Sequence, residues 1–221
     1  MKPSSDVSQS IPLTVLLTLS GGLMDAYSYM CRDKVFANAQ TGNILLFGVH
    51  LVEGNLPVSL RYLIPVLAFA AGITAAELFC RLIGEDKRLH WRQLVLIAEA
   101  LILAGVAFIP AGYSLPANSL ISFACGAQVE SFRVLSGGRG VATTMCIGNL
   151  RAATQHLCDY RFSRDKAALQ SGLLYLGIIT VFVCGAITGD LLVDIIGEYA
   201  ILGSAELLLA GAMLMHIRKE S

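Results

Sequence analysis

The chain has 221 residues, of which 55% are hydrophobic and 14% charged, and its 16 basic and 16 acidic residues cancel to a formal net charge of zero. Soluble domains carry about 25% charged residues, so this composition argues against an ordinary soluble enzyme and predicts an integral protein of the lipid bilayer. The short charged stretches form no basic face, which argues against a nucleic-acid partner.

After a polar tail at residues 1–10, six apolar stretches are each long enough to cross a hydrocarbon core about 30 Å thick. They lie at residues 11–31, 60–83, 93–112, 116–135, 168–194 and 198–217. Two further segments, 36–53 and 141–158, start polar and extended and become helix-like at a Gly-Asn pair. Each helical part is about ten residues, or about 15 Å, which is half a membrane. The sequence therefore predicts an all-α membrane fold with six transmembrane helices and two shorter helices.

The Lys and Arg residues indicate whether the two short segments cross, because positive charge in short loops favours the cytoplasm. If neither crosses, thirteen basic residues fall on one side and three, Arg32, Lys34 and Arg61, on the other. If both cross, the count becomes eight on each side. We therefore predict that both segments are re-entrant, one from each face, and that both termini are cytoplasmic. The alternative is that 36–53 spans, which gives seven spans and an external N-terminus.

The two halves of the chain, 11–112 and 116–217, resemble each other in the same order. Four matches carry this: GGLMDAY at 21–27 with GAQVESF at 126–132, TGN at 41–43 with IGN at 147–149, GITAAEL at 72–78 with GAITGDL at 185–191, and AEALIL at 98–103 with AELLLA at 205–210. Each acidic residue inside a span thereby aligns with another acid. Three spans per half is an odd number, so the pattern predicts an inverted 3+3 repeat within a single membrane domain, as in many transporters.

Three runs, GGLMDAYSY at 21–29, FANAQTGN at 36–43 and TTMCIGNL at 143–150, resemble the YoaK-like family of small, uncharacterised bacterial inner-membrane proteins. The resemblance covers essentially the whole chain. It implies about six spans and a multi-pass location in the bacterial inner membrane, and it implies no activity. The chain departs from the family pattern at Cys146, because relatives tend to carry a Thr before the second Gly-Asn pair.

Ionisable residues inside a membrane cost about 2.5–3.5 kcal/mol each, which makes them candidate functional residues. The spans hold six acids: Asp25, Glu77, Glu99, Glu130, Asp190 and Glu206. Both re-entrant helices should begin at mid-membrane, where their unpaired N–H groups and positive dipole ends would lie. We expect Glu99 and Glu206, at mid-depth in matching spans, to accept those N–H groups. The alternative is that these carboxylates only hold the re-entrant segments in place.

A second candidate group for the substrate or ion pathway lies around the two Gly-Asn pairs: Thr41, Gly42, Asn43, Gly148 and Asn149. These residues predict a pore constriction or a substrate clamp made of backbone amides and Asn side chains. The alternative is ordinary helix capping, for which Asn is a preferred residue. His50 and His156, near the far ends of the two short helices, are candidates for proton transfer.

The sequence predicts neither a metal site nor a cofactor. Its six Cys form no C-x-x-C pair and no Cys/His cluster with metal-ligand spacing. The glycine-rich run SGGRG at 136–140 lacks the Lys-Ser/Thr of a phosphate-binding loop, so we interpret it as a turn. Because no nucleophile and base pair up convincingly, we do not expect an enzyme.

The inverted repeat, the re-entrant helices and the intramembrane acids together predict a transporter or channel for a small polar or ionic solute. Protons are a candidate coupling ion, and the site is expected at the midplane between the repeats. The alternative is a non-transporting membrane subunit or sensor that partners another protein. The oligomeric state is left open, with a homo-oligomer among the options.

Overall fold

The computed structural model describes residues 10–83, 88–132 and 143–220, so the SGGRG run at 136–140 lies outside the described residues. Every regular element in these ranges is helical, as the sequence predicts. The α-helices are α1 (Ile11–Cys31), α2 (Gln40–Val52), α3 (Leu56–Ile83), α4 (Arg88–Val106), α5 (Ser114–Ser131), α6 (Cys146–Ser163), α7 (Lys166–Ile196) and α8 (Ile201–Glu220). Short 3-10 turns, Ala111–Tyr113 and Gly197–Ala200, precede α5 and α8. A long helix therefore lies over each of the six predicted apolar stretches.

The two short helices are longer than the sequence suggests. They begin at Gln40 and Cys146, each three residues before its Gly-Asn asparagine, and have 13 and 18 residues rather than about ten. Helix α6 continues into polar sequence because nothing interrupts it before Arg164, whose left-handed φ of 57° ends the helix. Asp165 then starts α7, since its carboxylate accepts the Ala167 N–H at 2.9 Å.

The helices pack in matched pairs. Helix α1 packs against α7 and α3 against α5; α2 lies on α3 and α6 on α7; α8 contacts α1, α4 contacts α5, and α4 and α8 contact each other. The hydrophobic core lies mainly among α1, α4, α5 and α8, with Leu17, Leu96, Ile121 and Leu208 almost fully buried. The long helices thus surround a common core, while α2 and α6 attach to its two sides.

Glycines bring two pairs of helix backbones into contact. A Cβ on Gly22 would collide with the carbonyl oxygen of Phe182, and a Cβ on Gly185 with that of Leu19, where α1 crosses α7. The crossing of α3 and α5 repeats this arrangement. There, a Cβ on Gly72 would collide with the carbonyl of Phe123, and one on Gly126 with that of Phe69. Small residues permit this close approach, which is typical of helix interfaces in membranes.

The attachment of α2 and α6 to their neighbours also follows one pattern. His50 of α2 stacks on Tyr62 of α3, with ring centroids 5.7 Å apart and planes 10° apart. His156 of α6 stacks on Tyr175 of α7 at 5.8 Å and 10°. Both histidines therefore pack at a helix interface, and His50 Nδ1 also lies 2.8 Å from Glu53 Oε2.

Much of the outer surface is apolar. Along α7, Val183, Ile187, Leu191 and Ile195 are each about half exposed or more and follow one another at intervals of four residues, one helical turn apart. Within the described residues, two stretches are apolar and long enough to cross a membrane by length and composition, Leu56–Leu82 and Lys166–Ile217, and the second covers both α7 and α8.

Polar side chains explain why the other long helices are less apolar than these two stretches. Helix α5 carries Asn118, Ser122 and Gln128, all of which are buried inside the molecule. Asn118 donates to the carbonyl of Arg32 at 2.7 Å, and Ser122 to that of Ala37 at 3.3 Å. These groups lower the mean hydropathy of the helix. The Asn118 amide nitrogen and Ser122 bond within the molecule, whereas the side-chain oxygen and nitrogen of Gln128 have no partner in the described part of the chain.

Candidate functional site

The segments that lead into α2 and α6 reach the same point of α1. This point is Gly21, which lies ten residues from either end of the helix, or about 15 Å. The side-chain amide of Asn38 donates to the Gly21 carbonyl at 3.3 Å. On the second segment, Cγ2 of Thr144 lies 2.6 Å from where a Cβ on Gly21 would be. The tips of the two segments therefore meet at the middle of a core helix.

The first segment reaches this point by folding back along α1. Asp33 and Lys34 adopt left-handed φ values of 61° and 60° and reverse the chain after the helix ends. The Ala37 N–H then donates to Ser28 Oγ at 3.1 Å, and the Asn38 N–H to Asp25 Oδ1 at 2.7 Å. As the segment advances, its partners on α1 lie progressively deeper, so it runs antiparallel to the helix.

Asn43 holds the extended part of this segment against the start of α2. It bonds both backbone groups of Phe36: its side-chain oxygen accepts the Phe36 N–H at 3.0 Å, and its amide donates to the Phe36 carbonyl at 2.7 Å. The same amide donates to Gln40 Oε1 at 2.9 Å. Asn43 is fully buried and makes no capping bond to the N-terminus of α2. Its side chain therefore clamps the chain rather than capping the helix.

A cavity of about 740 Å³ lies where the two tips meet. Its polar lining includes Asp25, Asn38, Thr41 and Thr144, and Gly148 borders it from the first turn of α6. Its aromatic lining consists of Tyr29, Phe36, Phe69 and Phe182. Among the lining residues that the structure describes, Asp25, only 8% exposed, is the one acidic residue, and none is a Lys or Arg.

The predicted pathway residues around the Gly-Asn pairs divide into two groups. Thr41 and Gly148 line the cavity, as Asp25 does. Gly42 is covered by the Phe36 ring, which lies 2.9 Å from where its Cβ would be, and Asn43 and Asn149 are buried. Gly148 has open space where its side chain would be. The first group can contact a solute, whereas the second shapes the walls behind it.

The structure corrects the expectation for Glu99 and Glu206. Glu99 is 1% exposed, and neither of its carboxylate oxygens has a hydrogen-bond partner in the described part of the chain. It lies at an apolar groove of about 530 Å³ formed by α3, α4 and α5. Glu206 is exposed on α8. Asp25, rather than Glu99 or Glu206, accepts an N–H group at a tip.

The other three predicted acids lie away from the cavity lining. Glu77 pairs with Arg81 one turn further along α3, at 2.7 Å, and both side chains are well exposed. Glu130 lies in the last turn of α5 and Asp190 in α7, and both are partly exposed. The six acids therefore do not converge on one site.

Arg32 is a structural residue that charge counting assigned to an outer loop. It is fully buried, and its guanidinium donates to the carbonyls of Ile109 at 2.8 Å and Pro110 at 3.1 Å, just beyond the end of α4. Its Nε donates to the Tyr27 hydroxyl at 2.9 Å. Arg32 thus joins the end of α1 to the end of α4, where carbonyl groups favour a cation.

Phe69 and Phe182 of the cavity were not among the residues predicted from the sequence. A signal for them exists, because each lies three residues before the matched runs GITAAEL and GAITGDL. Metal binding has less support: among the described residues, no group of three or more His, Cys, Asp or Glu could hold a metal ion.

Comparison with known proteins identifies relatives but no activity. The chain is 27% identical over 185 residues to the UPF0700 transmembrane protein YoaK of Bacillus subtilis (strain 168), which covers 79% of this chain and 80% of the relative. No solved structure matches the chain. The family model described as "Protein of unknown function (DUF1275)" matches residues 13–214. This match agrees with the resemblance seen in the sequence, and the chain belongs to the DUF1275 family.

Proposed function

We propose that the chain is a membrane transporter or channel for a small polar or ionic solute, which passes through the cavity at the tips of α2 and α6. One observation carries the proposal: both tips meet at the middle of α1, around a cavity that holds the buried carboxylate of Asp25. In this proposal the six long helices span a bacterial inner membrane, and α2 and α6 are re-entrant, with both chain termini in the cytoplasm.

The membrane placement is supported by dimensions and surface. Helix α1 has 21 residues, or about 31 Å, which matches a hydrocarbon core of about 30 Å. The exposed apolar residues of α7 form a surface that water would disfavour and lipid would cover. The relative from Bacillus subtilis is named as a transmembrane protein.

The inverted repeat is supported by the reciprocal glycine contacts. An offset of 104 residues relates Gly22 to Gly126 and Leu19 to Phe123, and an offset of 113 relates Phe69 to Phe182 and Gly72 to Gly185. The crossing of α1 and α7 is therefore the counterpart of the crossing of α5 and α3.

The other contacts between helices follow the same correspondence between the two halves. The stack of His50 on Tyr62 corresponds to that of His156 on Tyr175, at offsets of 106 and 113. Of the helix pairs, α2 with α3 corresponds to α6 with α7, and α1 with α8 to α5 with α4. A two-fold relation between the halves accounts for all of these pairs at once, and transporters commonly bind solutes where such repeats meet.

The site can bind a polar solute because it offers polar groups whose hydrogen-bonding capacity is not filled by water. Helix N-termini carry unpaired N–H groups and about half a positive charge. Asp25 takes the Asn38 N–H just before α2, and within the described residues neither α2 nor α6 has a side-chain capping bond at its start. A solute in the cavity would thus meet a carboxylate on the α1 side and N–H groups on the α6 side.

The proposal is tested by reconstituting the purified chain in liposomes and measuring flux of a broad panel of ions and small metabolites, with and without a pH gradient. We expect flux of at least one solute above empty vesicles, and its loss in Asp25→Asn. Glu206→Gln is the matched control, because it neutralises an exposed acid outside the cavity lining. Absence of flux across the whole panel would overturn transport and favour a role as a subunit or sensor.

A further inference from the structure

We infer that the cavity between the two tips binds small organic ammonium ions, with the charged nitrogen held between the Asp25 carboxylate and the aromatic rings that line the walls. The inference rests on the proposed function, since it names the solute class for the same cavity.

The first argument is the charge of the cavity. Asp25 is 92% buried, and the lining residues that the structure describes include no basic side chain to pair with it. One of its oxygens accepts the Asn38 N–H at 2.7 Å, but a neutral amide leaves the charge of a carboxylate uncompensated. Buried charges in proteins are normally paired, because an isolated one is strongly unfavourable. A cationic solute would supply the missing partner.

The second argument is the character of the walls. Tyr29 lies one helical turn after Asp25 on the same face of α1. Its ring stacks on Phe36 with centroids 5.1 Å apart and already holds the Lys34 ammonium 4.7 Å from its centroid, so the rings left for a solute are those of the other lining aromatics. Phe69 and Phe182 line the same cavity from α3 and α7. Aromatic ring faces attract cations within about 6 Å, and carboxylates surrounded by such rings are typical of sites for alkylated ammonium groups.

The composition of the lining also disfavours a metal ion. Calcium prefers about six to eight oxygen ligands and magnesium needs an octahedral set, whereas this lining has one carboxylate. The volume of about 740 Å³ suits a small organic molecule, for which pockets of roughly 300–1,000 Å³ are usual. A polar group at the other end of the molecule could face the open first turn of α6 beside Gly148.

The test is calorimetric titration of the purified full-length chain in lipid nanodiscs with choline and with 3,3-dimethylbutan-1-ol, which has the same shape but no charge. We expect choline to bind at least about tenfold more tightly than the alcohol, and Asp25→Asn to weaken choline binding by a similar factor. Asn keeps an oxygen that can accept the Asn38 N–H, so the segment should stay in place. Glu206→Gln should leave choline binding unchanged.

A second variant tests the contribution of the aromatic rings independently of the carboxylate. Phe182→Leu keeps an apolar side chain but removes the ring, so it should weaken choline several-fold and leave the alcohol unaffected. Equal binding of choline and the alcohol, or unchanged choline binding in Asp25→Asn, would overturn the inference. If liposomes transport anions or neutral solutes while choline does not bind, the inference fails and transport stands. If choline binds but no solute in the panel moves, transport fails and the ammonium site stands.

Discussion

At the scale of single residues, Asp25 and Glu99 show that two buried acids can have opposite surroundings. Asp25 accepts a backbone N–H and faces a cavity with polar groups. Glu99 is enclosed by apolar side chains, and its oxygens have no partner in the described part of the chain. A buried polar group without a partner costs free energy, so the two acids should respond differently to replacement.

Replacement of Glu99 by Met should stabilise the protein. Met has a similar size and leaves no unsatisfied oxygen, so we expect the free energy of unfolding to rise by about 1 kcal/mol or more. Thermal unfolding of the purified protein in detergent measures the change in stability. Glu99→Gln is the control, because it keeps a buried polar group and should not stabilise the protein. A lower melting temperature in Glu99→Met would mean that Glu99 has a partner that stabilises the fold.

Gly148 offers a separate test of the cavity. Gly148→Leu should fill the space beside the first turn of α6 and abolish flux and ligand binding, while the fold remains stable because nothing lies within 4 Å of the new Cβ. Gly105→Leu in α4 is the matched control, since that glycine is also helical, has equally open surroundings and lies outside the cavity lining. Full activity of Gly148→Leu would show that solute does not pass beside α6.

At the scale of elements, the helix crossings depend on four glycines that allow backbone contact. Because the obstructing atoms are carbonyl oxygens of the opposite helix, no rotamer change can relieve a collision. If the cavity opens in the proposed transporter, we expect the opening to occur between these pairs rather than within them. The α1–α7 and α3–α5 pairs carry Phe182 and Phe69, one on each side of the cavity.

We expect Gly22→Ala and Gly126→Ala each to lower the free energy of unfolding by about 1–3 kcal/mol, as overpacking does. Their effects should be similar because the two positions are counterparts. Gly177→Ala in α7 is the control: its Cβ would meet nothing within 4 Å, and Ala favours a helix over Gly by about 0.5–1 kcal/mol. Unfolding in detergent, followed by circular dichroism, shows whether each variant lowers or raises the free energy of unfolding.

The sequence allowed prediction of elements better than of contacts. Apolar stretches locate the long helices, because burial in lipid or core requires continuous hydrophobic sequence, and the Gly-Asn pairs locate α2 and α6. The partner of Asp25 could not be predicted, since it depends on how Asp33 and Lys34 reverse the chain. Arg32 was assigned to a loop because counting charges along the sequence cannot show which carbonyl groups a guanidinium binds. Those of Arg32 lie at the end of a helix distant in sequence.

At the scale of the whole molecule, the helix contacts of the two halves correspond, whereas the acidic residues of the cavity do not. The glycine contacts relate the halves at an offset of 104, one residue from the alignment that paired Asp25 with Glu130. At this offset the counterpart of Asp25 is Val129, so the cavity has one carboxylate rather than two. The carboxylate of the cavity comes from the first half of the chain, whereas Thr144, Gly148 and Phe182 come from the second.

The proposed inverted repeat makes a prediction about sidedness. In a background without the six native Cys, a single Cys at Asn55, after α2, should react with an impermeant maleimide on intact cells. A single Cys at Ser163, at the end of α6, should react only after the membrane is opened, as should Cys placed in the 136–140 run. Tyr113, 63% exposed before α5, gives the matched external control. If Cys at positions 55 and 163 react from the same side of the membrane, the inverted repeat is contradicted. A two-fold axis in the membrane plane would place the equivalent C-terminal ends of α2 and α6 on opposite faces.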